Sequence, residues 1–322
     1  MSKKISIQES LSSILLLAII CMGLVFMFGL LLSESFVVEA LEVEEEWSYF
    51  HEDVGFRAVT VDEMGDVYAG GTDNSVKKLD RYGNPVWNFD EPAGVVRTLA
   101  ASENGFIFAG SNDNSVRKID RDGNQIWKYD RHWSDVNSVD VDIKGYVYTV
   151  SRDGSVRKIS PDGSKVWRYD GHDAFVRDVA VDDDGYVYSA STDRTVHKIS
   201  PEGETVWKFT RPWNVFNALA VDDEGNVYAG GRDNTVRKIS PMGSKIWRFD
   251  GHTGSIQSLA VDDNGNVYSA STDATIRKID SQGREVWNFT DFEAYVRSLA
   301  VDNEGNLYTA SNDGTVRKLI QR

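Results

Sequence analysis

The chain has 322 residues, 41% of them hydrophobic, with a formal charge of −15 and an isoelectric point near 4.8. That balance argues against a nucleic-acid groove, which needs a clustered positive face to displace counterions from phosphates. The one cysteine, Cys21, leaves no thiol pair for a disulfide, a redox couple or a zinc knuckle.

Residues 1–10 form a short start containing Lys3 and Lys4, and an almost uninterrupted apolar run without a charge follows over residues 11–32. At about 1.5 Å of rise per residue, such a run crosses a hydrocarbon core of roughly 30 Å as one helix. Lysines lie before it, whereas Glu34, Glu39, Glu42, Glu44, Glu45 and Glu46 follow it. The asymmetry predicts a single-pass cell-membrane protein with a cytoplasmic N-terminus and everything beyond the helix extracytoplasmic. The helix is expected to be retained, because the one small-x-small site, Val38-Glu39-Ala40, is badly placed for cleavage. The opening KKISIQESLSSILLL, with Glu9 in its stem, faintly resembles the class III signals of type IV filament subunits, although the usual small residue before the cut is missing. A filament or virion-surface subunit is therefore the alternative. Residues 33–46 are expected to be a solvated acidic linker.

From residue 47 onward the sequence repeats every forty residues. Tryptophan recurs at Trp47, Trp87, Trp127, Trp167, Trp207, Trp247 and Trp287, and an aromatic at Tyr68, Phe108, Tyr148, Tyr188, Tyr228, Tyr268 and Tyr308. Within one unit, short apolar segments at 96–101, 106–110, 115–119 and 125–129 are separated by Asn-Gly, Asn-Asp-Asn and Asp-Gly turn signals. Each unit is thus a four-stranded antiparallel meander. Such sheets hide both faces by packing radially, which predicts an all-β, seven-bladed β-propeller over residues 47–322, preceded by one transmembrane helix. The chain begins its repeats with a lone strand at 47–50 and ends on a third strand at 316–319, so the N-terminal strand is expected to complete the last blade.

The segment GHTGSIQSLAVDDNGNVYSASTDATIRKID resembles a WD-repeat blade. The resemblance implies a hydrogen bond between His252, in the loop before the inner strand, and Asp273, in the turn between strands two and three. The turn aspartate is present in every unit, from Asp73 to Asp313, but the histidine recurs only at His132, His172 and His252, and isoleucine or leucine replaces the tryptophan of the Trp-Asp pair. DNTVRKISPMGSKIWRF is similar to quinoprotein-type repeats, and VDDEGNVYAG to NHL repeats. All three imply a propeller, and the departures prevent transfer of any specific activity.

Residues present in every unit serve what every blade needs. The tryptophans are expected to pack the outer strand on the neighbouring sheet, and the lysines from Lys78 to Lys318 to be rim charges or partners of turn aspartates. Function is sought where the copies disagree. The loops leading to the inner strands carry Trp133, Phe175, Trp213, Phe292 and Tyr295, expected together on one face as anchors for a protein or cell-surface ligand. Packing of the loops on themselves is the alternative. Just beyond them come Arg57, Arg97, Asn137, Arg177, Asn217, Gln257 and Arg297. Four arginines at a channel mouth would attract a carboxylate or phosphate, unless Asp135, Asp173, Asp178 or Glu293 pairs with them.

No catalytic residue, cofactor or metal is expected. The five histidines show no metal-ligand spacing, there is no Gly-x-Ser-x-Gly elbow, and no paired carboxylates break the repeat. Asp182-Asp183-Asp184-Gly185 lacks the flanking ligands of a calcium loop, with Ala180 where an oxygen is needed. Asn288-Phe289-Thr290 is a glycosylation sequon. The sequence points to a non-catalytic, membrane-anchored binding or assembly scaffold, with a quinoprotein-like or hydrolase-like propeller enzyme as a further alternative to it.

Overall fold

The computed structural model describes residues 43–322. The expected cytoplasmic start (1–10), membrane helix (11–32) and the linker up to residue 42 lie outside the described residues. Among the described residues no helix is long and apolar enough to cross a membrane.

Seven four-stranded antiparallel sheets follow one another along the chain. In the first blade the inner strand is Phe56–Val61, followed by Val67–Gly71, Val76–Leu79 and the outer strand Pro85–Phe89. Tight turns separate them, held by aspartate. In the first one the Asp62 carboxylate accepts the backbone N–H groups of Met64 and Asp66.

The seventh blade is built from both ends of the ring. Val296–Val301, Leu307–Ser311 and Thr315–Gln321 are completed by Val43–Phe50, whose register runs from Val43 opposite Gln321 to Phe50 opposite Thr315. The closure is as expected, but the strand starts earlier than residue 47, so the boundary between linker and propeller moves. Glu44 and Glu45 pair in the ladder and Glu46 sits at its bulge, rather than in a spacer, and the last strand offers these three glutamates Arg322, Arg317 and Lys318 as ion partners.

Apolar side chains bury themselves between blades. Tyr188 and Val196 of the fourth blade share a cluster with Phe216, Leu219 and Val227 of the fifth, and Tyr308 and Val316 of the seventh meet Phe56, Val59 and Val67 of the first. Burying each such side chain contributes roughly 1.5–3 kcal/mol. The tryptophans do the expected work. Trp87 lies 5.8 Å from Tyr68 in its own blade and donates its indole N–H across the interface to the Arg121 carbonyl at 2.9 Å. The ring also needs a bare neighbour. A Cβ on Gly163, at φ +88, would approach Trp127 to 3.0 Å, so only glycine meets both demands.

The lysines correct the rim expectation. Lys78, Lys118, Lys158, Lys198 and Lys238 are buried, their ammonium groups lying over aromatic rings of their own blades, 5.5 Å from the Tyr68 centroid for Lys78 and 4.0 Å from that of Phe106 for Lys118. The aliphatic stem packs while the ammonium finds turn acids, as Lys78 does with Asp66 at 2.9 Å, or a carbonyl of the next blade, as Lys118 does with Pro161 at 3.3 Å. Inner strands are tied together as well: Thr98 accepts the N–H of Val139, Ser258 that of Leu299, and Ser298 that of Val59 across the closure.

Candidate functional site

The loops that cross from each outer strand to the next inner strand emerge on one face, and the turn aspartates fix their backbones. Asp113, Asp153, Asp193 and Asp273 accept the N–H of Ala93, Trp133, Asp173 and Thr253 respectively, at 2.9–3.1 Å. Where histidine is present it braces the same loop. His172 pairs with Asp193 and Ser189, both at 2.8 Å, and His252 pairs with Asp273 at 2.9 Å and Ser269 at 2.8 Å, as the WD-repeat resemblance implies. His132 keeps the bond to Thr149 but stands 3.6 Å from Asp153.

With the loop backbone held, the side chain at the position of Ala93, Asp173 and Thr253 is free to face water. At Trp133 that side chain is an indole, 73% exposed; Trp213, 94% exposed, holds the same position in a loop fixed instead by the Asn214 N–H donating to the Arg211 carbonyl and by Asn214 Oδ1 accepting the Asp233 N–H, both at 3.1 Å. Trp133 is backed by the Arg168 guanidinium, 4.1 Å from its ring centroid. Phe175 and Tyr295, 49% and 46% exposed, lie two residues further along their loops, with Arg297 5.5 Å from the Tyr295 ring. Phe292 departs from the expectation. It occupies the loop position that histidine holds in three other blades and turns inward, 8% exposed, against Phe289 at 5.5 Å and the Arg317 guanidinium at 4.9 Å. It belongs to the loop's own packing rather than to the exposed face.

The four expected arginines do meet at the channel mouth, and two more join them. Arg152 and Arg232, each just after the second strand of its blade, complete a group with Arg57, Arg97, Arg177 and Arg297. Asp135 is shared by Arg97 at 3.5 Å and Arg152 at 3.1 Å, and it is the one carboxylate in ion-pair contact with the six arginines among the described residues. Asp173, Asp178 and Glu293 make no such pair. Arg297 donates to Asn312 and to Gln257 at 3.2 and 3.0 Å, both neutral. Burial, reinforced by the neighbouring guanidinium groups, holds Arg97, Arg177 and Arg297 below the usual arginine range. Asn137 and Asn217, at the arginine position in two blades, instead donate to carbonyls of the next inner strand, Val176 at 2.7 Å and Ile256 at 3.2 Å.

Deeper in the channel wall, two carboxylates break the repeat, contrary to the sequence reading. Asp140 stands where five blades have alanine, and its oxygens accept the N–H groups of Val141 and Val181, both at 2.9 Å. Asp178 likewise accepts from Val179 at 3.0 Å and Leu219 at 2.7 Å. Enclosure by the protein pushes Asp140 up to about 7 and Asp178 up to about 6, with mutual repulsion adding to the Asp140 shift. Both act as inter-blade links.

One trio, His172, Asp193 and His197, brings potential metal-ligand atoms within 4.8 Å of one another. His197 replaces the arginine of sister blades and stacks on His172 at 3.8 Å. Its nitrogens meet the Tyr169 hydroxyl at 2.8 Å and the Thr195 hydroxyl at 2.9 Å, and burial holds its pKa down to about 3. With every ring nitrogen of the pair engaged by a protein partner, the trio is a bracing network. The sequon residue Asn288 lies exposed on an outer strand.

A family model described as outer membrane protein assembly factor BamB matches residues 39–148, 152–254 and 232–322. No curated protein sequence matches the chain. Among solved structures, the crystal structure of the WD40 beta propeller domain of Doa1 superimposes with a TM-score of 0.80 at 19% identity, covering 87% of this chain and 97% of that one. This second likeness speaks to the fold alone.

Proposed function

The chain belongs to the repeat family described as outer membrane protein assembly factor BamB, and on that premise we propose that it is a non-catalytic scaffold on which a protein partner docks, tethered to the cell membrane by residues 11–32 with the propeller extracytoplasmic. The observation that carries the reading is the exposure of Trp133 and Trp213 on loops whose backbones are otherwise fixed, the first by Asp153 and the second through Asn214. Exposed indoles on a rigid frame lose little entropy on association and make effective interface anchors. Phe175 and Tyr295 extend the same surface inward toward the channel.

Affinity purification of the full chain from its native membrane, compared with the Trp133→Ala/Trp213→Ala variant, tests the docking face. If the indoles are anchors, each substitution should cost about 2 kcal/mol or more of partner binding. Undiminished recovery of every partner by the double variant would reject the assignment. Fractionation tests the tether: the chain is expected in the membrane pellet, whereas recovery in sheared extracellular polymers would replace the scaffold with a filament subunit. Catalysis is tested by the purified chain's absorption spectrum and metal content, and a stoichiometric chromophore or ion would return an enzyme to consideration.

A further inference from the structure

The arginines at the channel mouth are not needed by the aromatic docking surface, and they are not a by-product of composition. The chain has 50 acidic residues against 35 basic ones. Yet the inner-strand position at the mouth reads Arg57, Arg97, Asn137, Arg177, Asn217, Gln257 and Arg297 around the ring. The position after each second strand reads Thr72, Asn112, Arg152, Thr192, Arg232, Thr272 and Asn312. No acid occurs in either set, although aspartate and glutamate crowd the turns of every blade. Only Asp135 offsets the six guanidinium groups, and the Nε atoms of Arg57, Arg152 and Arg177 are buried with no hydrogen-bond partner among the described residues. Buried donors without partners and like charges held together are both unfavourable, so a ligand that supplies acceptors and negative charge gains from each. Four of them, Arg97, Arg177, Arg232 and Arg297, line a basin whose neutral members include Asn137, Asn217 and Gln257 and whose volume is about 350 Å³. That is space for roughly a dozen waters at about 30 Å³ each.

The geometry points to a binding site for a multivalent anion, bearing two or more carboxylate or phosphate groups, at the channel mouth between Arg57, Arg97, Arg152, Arg177, Arg232 and Arg297. Valence follows from placement. The guanidinium groups come from six different blades around one opening, so a single small oxyanion engages one or two forks and leaves the others uncompensated, whereas a polyanion spans several. The low local dielectric and the encircling field favour it further. A free polyanion and the acidic tip of a protein seated on the same face present this chemistry alike.

The two sources are separated by calorimetric titration of the full chain in detergent, at about 50 mM salt where charge contacts are least screened. The probes are tripolyphosphate, citrate and a hexaglutamate peptide. Saturable binding of either small anion, weakening as salt rises, identifies a free ligand; binding of the peptide alone identifies an acidic partner segment. In either case Arg97→Gln/Arg177→Gln, which installs the residue already present at Gln257, should weaken binding about tenfold or more, and Arg297→Gln serves the same purpose if the double variant does not fold. The Trp133→Ala/Trp213→Ala variant should bind the probes unchanged, which keeps this site separate from the docking assignment. Failure of all three probes to bind below millimolar concentration, or binding that the arginine variants leave intact, would overturn it.

Discussion

The hydroxyl of Tyr148 donates to Oδ2 of Asp142 at 2.9 Å, while Oδ1 of the same carboxylate caps the turn by accepting the N–H groups of Lys144 and Tyr146. Six blades repeat the pair; the second has Phe108 in place of the tyrosine and, with it, Ser102 in place of the aspartate. The two losses occur together because a carboxylate facing a phenyl ring would lack its buried donor. Tyr148→Phe should therefore cost about 1.5–3 kcal/mol, the range for a hydrogen bond to a charged group. Asp142→Ser/Tyr148→Phe, which recreates the second blade's pair, should cost less than the sum of the single changes. Urea denaturation of the four proteins gives the coupling energy, and strict additivity would count against the pairing.

Gly163→Ala should destabilise by about 1 kcal/mol or more, since it meets a left-handed backbone and the Trp127 ring together. Alanine placed at Gly171, where φ is not left-handed, tests a different strain because its Cβ would meet the Tyr169 ring alone. Thermal melting of both variants, with and without Trp127→Ala, checks the assignment: removing the indole should relieve part of the Gly163→Ala penalty and none of that at Gly171.

Asp140 gives a pH dependence of defined sign. Burial, with repulsion from Asp178 and Asp142 adding to it, raises its carboxyl in the folded chain to about 7, so the native state holds this proton more tightly than the unfolded state does. The contribution is fully present below the ordinary carboxylate value near 3.9 and is lost as pH rises through about 7. The melting temperature of the native chain, measured relative to Asp140→Ala, should rise between pH 7 and pH 4 and level off below. Alanine already fills this position in five blades. A difference that is flat over this range would remove the shift.

Removing residues up to Phe50 should open the ring. The seventh blade would lose its outer strand, Trp47 would leave Tyr308, 6.3 Å away, and the inter-blade cluster around Val316 would face water. Loss of the indole alone is worth about 3 kcal/mol or more. Limited proteolysis should then cut first around Thr315–Gln321, and a synthetic peptide of residues 43–50, added in excess, should restore protection.

The repeat made the architecture legible, because tryptophan, glycine and the turn aspartates recur at one register and each answers a need shared by all blades. Side-chain direction was harder to read. A variable loop places Phe292 among the expected exposed aromatics, yet its register is that of His132, His172 and His252, which turn inward. Of the two expectations for the lysines, pairing with turn aspartates holds for Lys78 with Asp66 and Lys238 with Asp222, whereas their burial and stacking on the blade aromatics depend on three-dimensional contact. Arg152 and Arg232 also stand where the copies differ, but they approach the mouth from a second loop, a proximity that the register of the inner strands does not show. Asp140 stands where five blades have alanine and the first has Thr60, so the departure is visible along the repeats, but its role depends on the Val181 N–H of the next blade, which sequence spacing does not show.

Ring closure by Val43–Phe50 also orders events during synthesis. This strand precedes the six complete blades along the chain and its partner Thr315–Gln321 follows them, so it must wait unpaired while those blades assemble. An extended segment bearing Trp47, Tyr49 and Phe50 is a hazard in that interval, open to pairing with the wrong edge. Glu44, Glu45 and Glu46 counter it by repulsion between nascent copies, and only when Arg317, Lys318 and Arg322 arrive do the same charges become attractive. The three glutamates thus guard the strand first and fasten it afterward.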